Sequence, residues 1–302
     1  MTELQLSLLV DMESPQGVLN EVRTIVHLMV PEFHFDRIEL VFNDIVRLFR
    51  GEYPGYRKCS TEYHDLKHTT DTFLAMARIM HGAMIGGRGF TGAQVNLGLI
   101  CALMHDTGYL QTLDDNNGTG AKYTRIDTRR SIGFMDNYLN GHGFPREDFK
   151  HYPQILMCTG LDTKVNEIRF KSPDTELLGK ILGAADLLGQ MADRIYLEKL
   201  LFLYYEFTEA RVMGYENELD LLRKTIDFYA MIRRRLATDL DHLNEYVRLH
   251  FKMCWNLDRD LYMEAIDKNI KYLRFLLQEH EKDYREHLNR GGVVKKLREK
   301  QI

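Results

Sequence analysis

The chain has 302 residues, 44% of them hydrophobic, enough to bury a large core in one helical domain or in two closely packed ones. Forty basic and 44 acidic side chains leave a formal net charge of −4. That balance argues against a nucleic-acid polymer as partner, which calls for a basic surface, and in favour of a small or locally bound substrate. Cys59, Cys101, Cys158 and Cys254 lie far apart with no C-x-x-C pair, so neither a zinc ribbon nor a disulfide framework is expected. The first residues, MTELQLSLLVDMESPQG, lack a basic n-region, and no apolar run approaches the ~18 residues of a membrane span. The expectation is a cytoplasmic protein without membrane insertion.

Helix start signals appear early and recur. Ser14 precedes Pro15, Thr91 and Gln94 can form a capping box, and Ser172 precedes Pro173, which predicts helices starting near residues 15, 92 and 173. Apolar residues recur at helical spacing in Ile38, Val41, Ile45, Leu48 and Phe49, then in Phe73, Met76, Ile79 and Met80. Between them, Gly82 to Gly92 carries five glycines and reads as a loop, as does Asp114 to Gly120. Six prolines occur and none follows Pro173, so the last third can form long helices. Its stripes are Leu221, Leu222, Thr225, Phe228, Tyr229 and Ile232, then Ile266, Ile270, Leu273 and Leu277. The fold class expected is all-α. One domain over residues 1–302 is expected, with a core at about 53–215 and a C-terminal helical wall at about 216–302. The basic tail VVKKLREK reads as a solvated helix end.

Three segments carry chemistry. In Tyr63-His64-Asp65-Leu66-Lys67-His68-Thr69-Thr70-Asp71, residues His64, His68 and Asp71 fall at i, i+4 and i+7 and would share one face of a helix. Such a row can offer one imidazole to a metal and another to a substrate, or hydrogen-bond within itself on a solvated surface. The run Leu99-Ile100-Cys101-Ala102-Leu103-Met104-His105-Asp106-Thr107-Gly108 is an apolar helix ending on two metal-competent side chains. Burying them without partners is costly, and a divalent cation would supply those partners. The bland alternative has His105 paired with a carbonyl and Asp106 capping the next turn. In Leu182-Gly183-Ala184-Ala185-Asp186-Leu187-Leu188-Gly189 a single carboxylate lies among small and apolar residues. It needs a cation or donors, and its small neighbours let helices approach closely enough to share an ion.

Taken together, the order H…HD…D on helices resembles the HD superfamily of metal-dependent phosphohydrolases. Within it, YHDLKHTTD is most similar to the cyclic-nucleotide phosphodiesterase pattern Y-H-N-x-x-H-x-x-D, with Asp65 where Asn is usual. The likeness spans about residues 53 to 215. It implies a phosphodiesterase-like helical bundle in which His68, His105, Asp106 and Asp186 bind a first divalent metal and Asp106 bridges to a second. It also implies that a metal-bound hydroxide attacks phosphorus and that His64 protonates the leaving oxygen as general acid. One or two ions are implied, of manganese, magnesium, nickel, iron or zinc. Two departures are visible. TGYLQTLDD follows the His-Asp pair where the phosphodiesterases lead to a His-Pro-Gly, and TRIDTRRS offers Asp127 where some HD families place a further His. His142 and His151 read as loop or cap residues.

Among the basic residues near these segments, Lys67, Lys122, Arg125, Arg129 and Arg130, the ones favoured as phosphate contacts are Lys122 and Arg125. Gly87-Arg-Gly89-Phe-Thr-Gly92 matches G-x-G-x-x-G, but no β-α-β unit surrounds it and it reads as a connection between helices. The expected function is a metal-dependent phosphoester hydrolase acting on a small phosphorylated molecule, with a cyclic nucleotide the leading substrate. The alternatives are a nucleotidase acting on nucleoside monophosphates, an HD-fold di-iron oxygenase, and a non-catalytic sensor of metal or nucleotide.

Overall fold

The start signals act where the sequence places them. Ser14 accepts a hydrogen bond from the Gly17 amide with Pro15 in the first turn, Thr91 and Gln94 form a reciprocal capping box, and Ser172 caps its helix through the Thr175 amide. Each pairs an amide that a helix start leaves without an internal partner. The computed structural model describes residues 5–295, and among these it contains ten helices of nine residues or more. They are α1 (Pro15–Met29), α2 (Asp36–Arg50), α3 (Leu66–Ile85), α4 (Gly92–Met104), α5 (Asp127–Gly141), α6 (Pro173–Met191), α7 (Tyr196–Glu209), α8 (Glu218–Thr238), α9 (Val247–Trp255) and α10 (Leu261–Glu279). Extended pairing among the described residues is limited to an isolated bridge between Tyr56 and Thr112, so the class is all-α.

Helix α3 is the axis of the molecule. Every residue from His68 to Ala83 is buried, because α1, α4, α6 and α9 all pack on it. The stripe read from Phe73, Met76, Ile79 and Met80 is therefore only one side of a helix buried all round. Close approach needs small residues at two points. A Cβ on Gly189 of α6 would stand 2.9 Å from the Thr72 amide nitrogen, and one on Gly82 would stand 1.8 Å from the Tyr246 carbonyl oxygen. The second contact corrects the loop expected from Gly82 onward: α3 continues to Ile85 because Gly82 lets the turn before α9 lie against its backbone.

The apolar stripes of α8 and α10 are largely buried, and α10 packs on α6, α7 and α8 while α9 packs on α3. One continuous hydrophobic core takes in residues from Leu6 to Val294. No described helix is long and apolar enough to cross a membrane. Of the basic tail VVKKLREK, only residues 293–295 fall among the described residues.

Candidate metal centre

Helix α3 begins two residues later than a single His64–His68–Asp71 face requires. Asp65 is its N-cap, accepting from the His68 amide at 2.8 Å, and His64 lies outside the helix in the preceding turn. Asp is among the residues best suited to cap a helix, and Asp65 takes that role here. Asp71 is turned elsewhere too: its carboxylate pairs with Lys67 at 2.6 Å. Lys67 also faces Asp193, while Lys199 of α7 pairs with Asp65 at 3.0 Å and Asp193 at 3.5 Å. This clasp ties the start of α3 to α7 and occupies Lys67, which is therefore not a free phosphate contact.

His68 remains on the inner face of α3, and three further side chains converge on it. Its Nε2 lies 3.2 Å from His105 Nε2, 3.2 Å from Asp106 Oδ2 and 3.1 Å from Asp186 Oδ1. His105 Nε2 lies 3.4 Å from Asp106 Oδ2 and 3.6 Å from Asp186 Oδ1. All four residues are buried. Donors about 2.1 Å from one cation stand roughly 3.0 to 3.5 Å apart in octahedral or tetrahedral geometry, so the separations among His68, His105 and Asp106 suit a shared ion, and Asp186 Oδ1 approaches both imidazoles.

The chemistry of the donors points the same way. His105 is the C-cap of α4, where its Nδ1 meets the Ala102 carbonyl at 2.8 Å; donation there leaves Nε2 as a lone pair facing the cluster. Its carbonyl pairing is thus real, but Asp106 makes no cap with its side chain at the following turn. Asp106 Oδ2 is buried with no hydrogen-bond partner of acceptable geometry. Asp186 Oδ1 accepts from the Gln190 amide at 3.0 Å, and Gln190 Oε1 accepts from the Tyr63 hydroxyl at 2.8 Å. Acceptors therefore outnumber donors at the centre, a deficit that bound protons or a cation must make up. Burial opposes charging His68, but hydrogen bonds and charge from Asp106 and Asp186 outweigh it and push the imidazole up to about 10. Burial likewise opposes the Asp106 carboxylate, yet His105 and His68 hold it down at about 2. The buried His68, His105 and Asp106 can hold a metal ion.

His64 stands beside this cluster. Its Nδ1 lies 2.8 Å from Glu206 Oε2, its Nε2 lies 3.3 Å from the Tyr109 hydroxyl, and its ring stacks on Tyr109 at 4.1 Å. Glu206 Oε1 accepts from the amides of Glu62 and Tyr63, which fixes the carboxylate in α7 relative to the turn carrying His64. Burial works against the imidazolium, but the Glu206 hydrogen bond, its charge and that of Asp106 prevail, and the His64 pKa is raised above its ordinary 6.5. Asp127, the first residue of α5, completes the surroundings. Burial, then the charge of Asp106, pushes its carboxyl up to about 6 against the opposing pull of His64.

The residues flanking the loop after Asp106 serve other partners. Lys122 is held by Asp115 and the Asn117 carbonyl, and Arg125 by the Arg211 carbonyl. Neither makes an ion pair or hydrogen bond to the cluster among the described residues. Arg130 donates to the carbonyls of Gly108 and Leu110 at 2.7 and 2.8 Å, bracing the turn that follows Asp106. His142 closes α5 against the Tyr138 carbonyl and His151 precedes a short helix, so both are cap residues. Glu206, Gln190 and Tyr109 were not singled out by spacing. For Glu206 a signal existed, a lone carboxylate inside the aromatic run Leu203-Tyr204-Tyr205-Glu206-Phe207.

Residues 54–262 match the model of the Npun_R2479-like family. The chain belongs to that family. The matched stretch contains all four clustered residues, His64 and Glu206, and it runs past residue 215 to include α8 and α9. The family description names no reaction, and no curated protein matches the sequence.

Proposed function

We propose that this chain is a metal-dependent phosphoester hydrolase of the HD type acting on a small phosphorylated molecule, with a cyclic nucleotide as the first substrate to test and nucleoside monophosphates as the second. The observation that carries the reading is the pairing of two unlike groups in one place. A cluster of two imidazoles and two carboxylates at ion-sharing distances lies beside His64, a histidine outside the cluster whose Nδ1 is held by Glu206. When bound there, a divalent cation would activate water as a nucleophile and stabilise charge on phosphoryl oxygens. Four protein ligands fill a four-coordinate zinc site but leave two positions on a six-coordinate ion, which favours manganese, magnesium, nickel or iron.

The protein's own groups supply the rest. His105, locked by the Ala102 carbonyl, and Asp186, held by Gln190, are set in position before an ion arrives, so little ordering cost remains. His64 carries a proton at Nε2 in its raised-pKa form and delivers it to the leaving oxygen, while Glu206 accepts from Nδ1 and stabilises the imidazolium. A pure binding module has no use for such a donor, which weighs against a sensor.

The test combines metal analysis with leaving-group chemistry. Purified protein loaded with manganese, magnesium, nickel or iron is assayed for phosphate release from a panel of phosphoesters and for oxygen uptake. His64→Ala should keep its metal and slow hydrolysis of an ester with an alkoxide leaving group by about 10²- to 10⁴-fold. A p-nitrophenyl ester, whose leaving group departs without protonation, should lose far less. Equal losses for the two substrates, or metal lost with His64, would refute the general-acid role. Oxygen-dependent turnover with iron would establish an oxygenase instead.

A further inference from the structure

A second group of metal-competent side chains lies farther along α3, thirteen residues beyond His68 and so roughly 20 Å along the helix axis. His81, in the last turns of α3, meets His250 of α9 with their Nδ1 atoms 2.8 Å apart. Cys254, one turn after His250 on the same face of α9, places its Sγ 3.8 Å from His250 Nδ1. The three donor atoms lie within 4.8 Å of one another. We propose that His81, His250 and Cys254 form a second metal site, for a borderline cation of which zinc is the best match, that pins α9 to α3.

The separations fit with small adjustment. Donors on a tetrahedral zinc, with bonds of about 2.0 to 2.1 Å to nitrogen and about 2.3 Å to sulfur, stand roughly 3.4 to 3.6 Å apart. The observed 2.8 and 3.8 Å bracket that range. Two imidazoles and a thiolate suit zinc better than magnesium or manganese, which prefer oxygen. His250 is fully buried, and its Nδ1 is the atom that faces both His81 and Cys254.

Loading would be a simple exchange in which the Cys254 S–H bond breaks, a sulfur–metal bond forms and one proton passes to solvent. Cys254 is only partly buried, which leaves an approach for the ion. The guanidinium of Arg78 opposes a cation here, but the thiolate and Glu21, whose charge reaches both Cys254 and Arg78, counter it. The position suits a structural role, because α9 and the turn before it close over α3 through Gly82 and Phe251 and bear no group of the first cluster.

Sulfur makes this site separable from the first, which has only nitrogen and oxygen donors. The full chain is loaded with cobalt(II) as a probe and its near-ultraviolet spectrum recorded for the wild type, Asp106→Ala and Cys254→Ala. A thiolate-to-cobalt charge-transfer band should appear in the wild type, persist in Asp106→Ala and vanish in Cys254→Ala, and equilibrium dialysis with zinc should show Cys254→Ala binding one equivalent fewer than wild type. A wild-type protein without the band, or a band that survives in Cys254→Ala, overturns the proposal whatever the outcome at the first centre.

Discussion

Two pairs of histidines, each with one member on the central helix α3, face opposite electrical environments. His68 looks onto two carboxylates and is pushed up to about 10, whereas His250, packed against His81 of α3, sits among aromatic rings and Arg78 and is driven down to about 2. The residue type is the same and so is the burial. What differs is the charge of the neighbours, which sets whether a buried imidazole stores a proton or keeps its lone pair free. A cation at the first cluster must displace the proton that the carboxylates stabilise on the imidazole of His68, while at the second it meets two imidazoles and one thiol. The first arrangement is suited to a reactive ion, with a proton donor alongside; the second is suited to a fastening.

The largest effect that would break this contrast comes from Asp106→Ala. Asp106 touches both imidazoles, so its removal should abolish metal binding at the first cluster and reduce phosphoester hydrolysis to background, with circular dichroism unchanged. Stoichiometric metal at that cluster in the variant would show that the four residues do not form a site.

A smaller loss is expected from Glu206→Gln. His64 has a folded pKa raised above 6.5 chiefly by Glu206, and a general acid must be protonated, so wild-type activity should decline as pH rises through that raised value. Neutralising the carboxylate should move the decline of kcat/KM towards pH 6.5 and cut activity at pH 8 more than at pH 6. A profile unchanged in shape would make Glu206 merely structural.

Next is Gln190→Leu, which removes the amide bonded to Asp186 and frees the Tyr63 hydroxyl. Loss of a partner that orients a metal ligand should weaken cation affinity about 10- to 100-fold, measured by competition with a chelating dye. The slightest effect on chemistry should come from Gly82→Ala. The added methyl would collide with the Tyr246 carbonyl and destabilise the fold by about 3 kcal/mol, read as a lower Tm. It should leave metal content at the first cluster unchanged, since the disturbance falls between α3 and α9.

Much of this was present in the sequence because it is local. A serine or threonine before a helix, a proline in its first turn and apolar residues at 3.6-residue spacing act within a few positions, so the starts of α1, α4 and α6 and the all-α class could be read directly. His68, His105, Asp106 and Asp186 were conspicuous because metal-competent side chains stood in apolar or small-residue surroundings. The tertiary structure decided what chain separation hides. Glu206 reaches His64 across 142 positions, and His250 reaches His81 across 169, distances over which no periodicity carries information. It also decided which basic residues are occupied: Lys122 and Arg125 look free along the chain, but folding supplies Asp115 and the Arg211 carbonyl. Capping depends on the backbone a residue can reach in one turn, whereas partnership of buried polar groups depends on which helices the core brings together, and only packing around α3 fixes that.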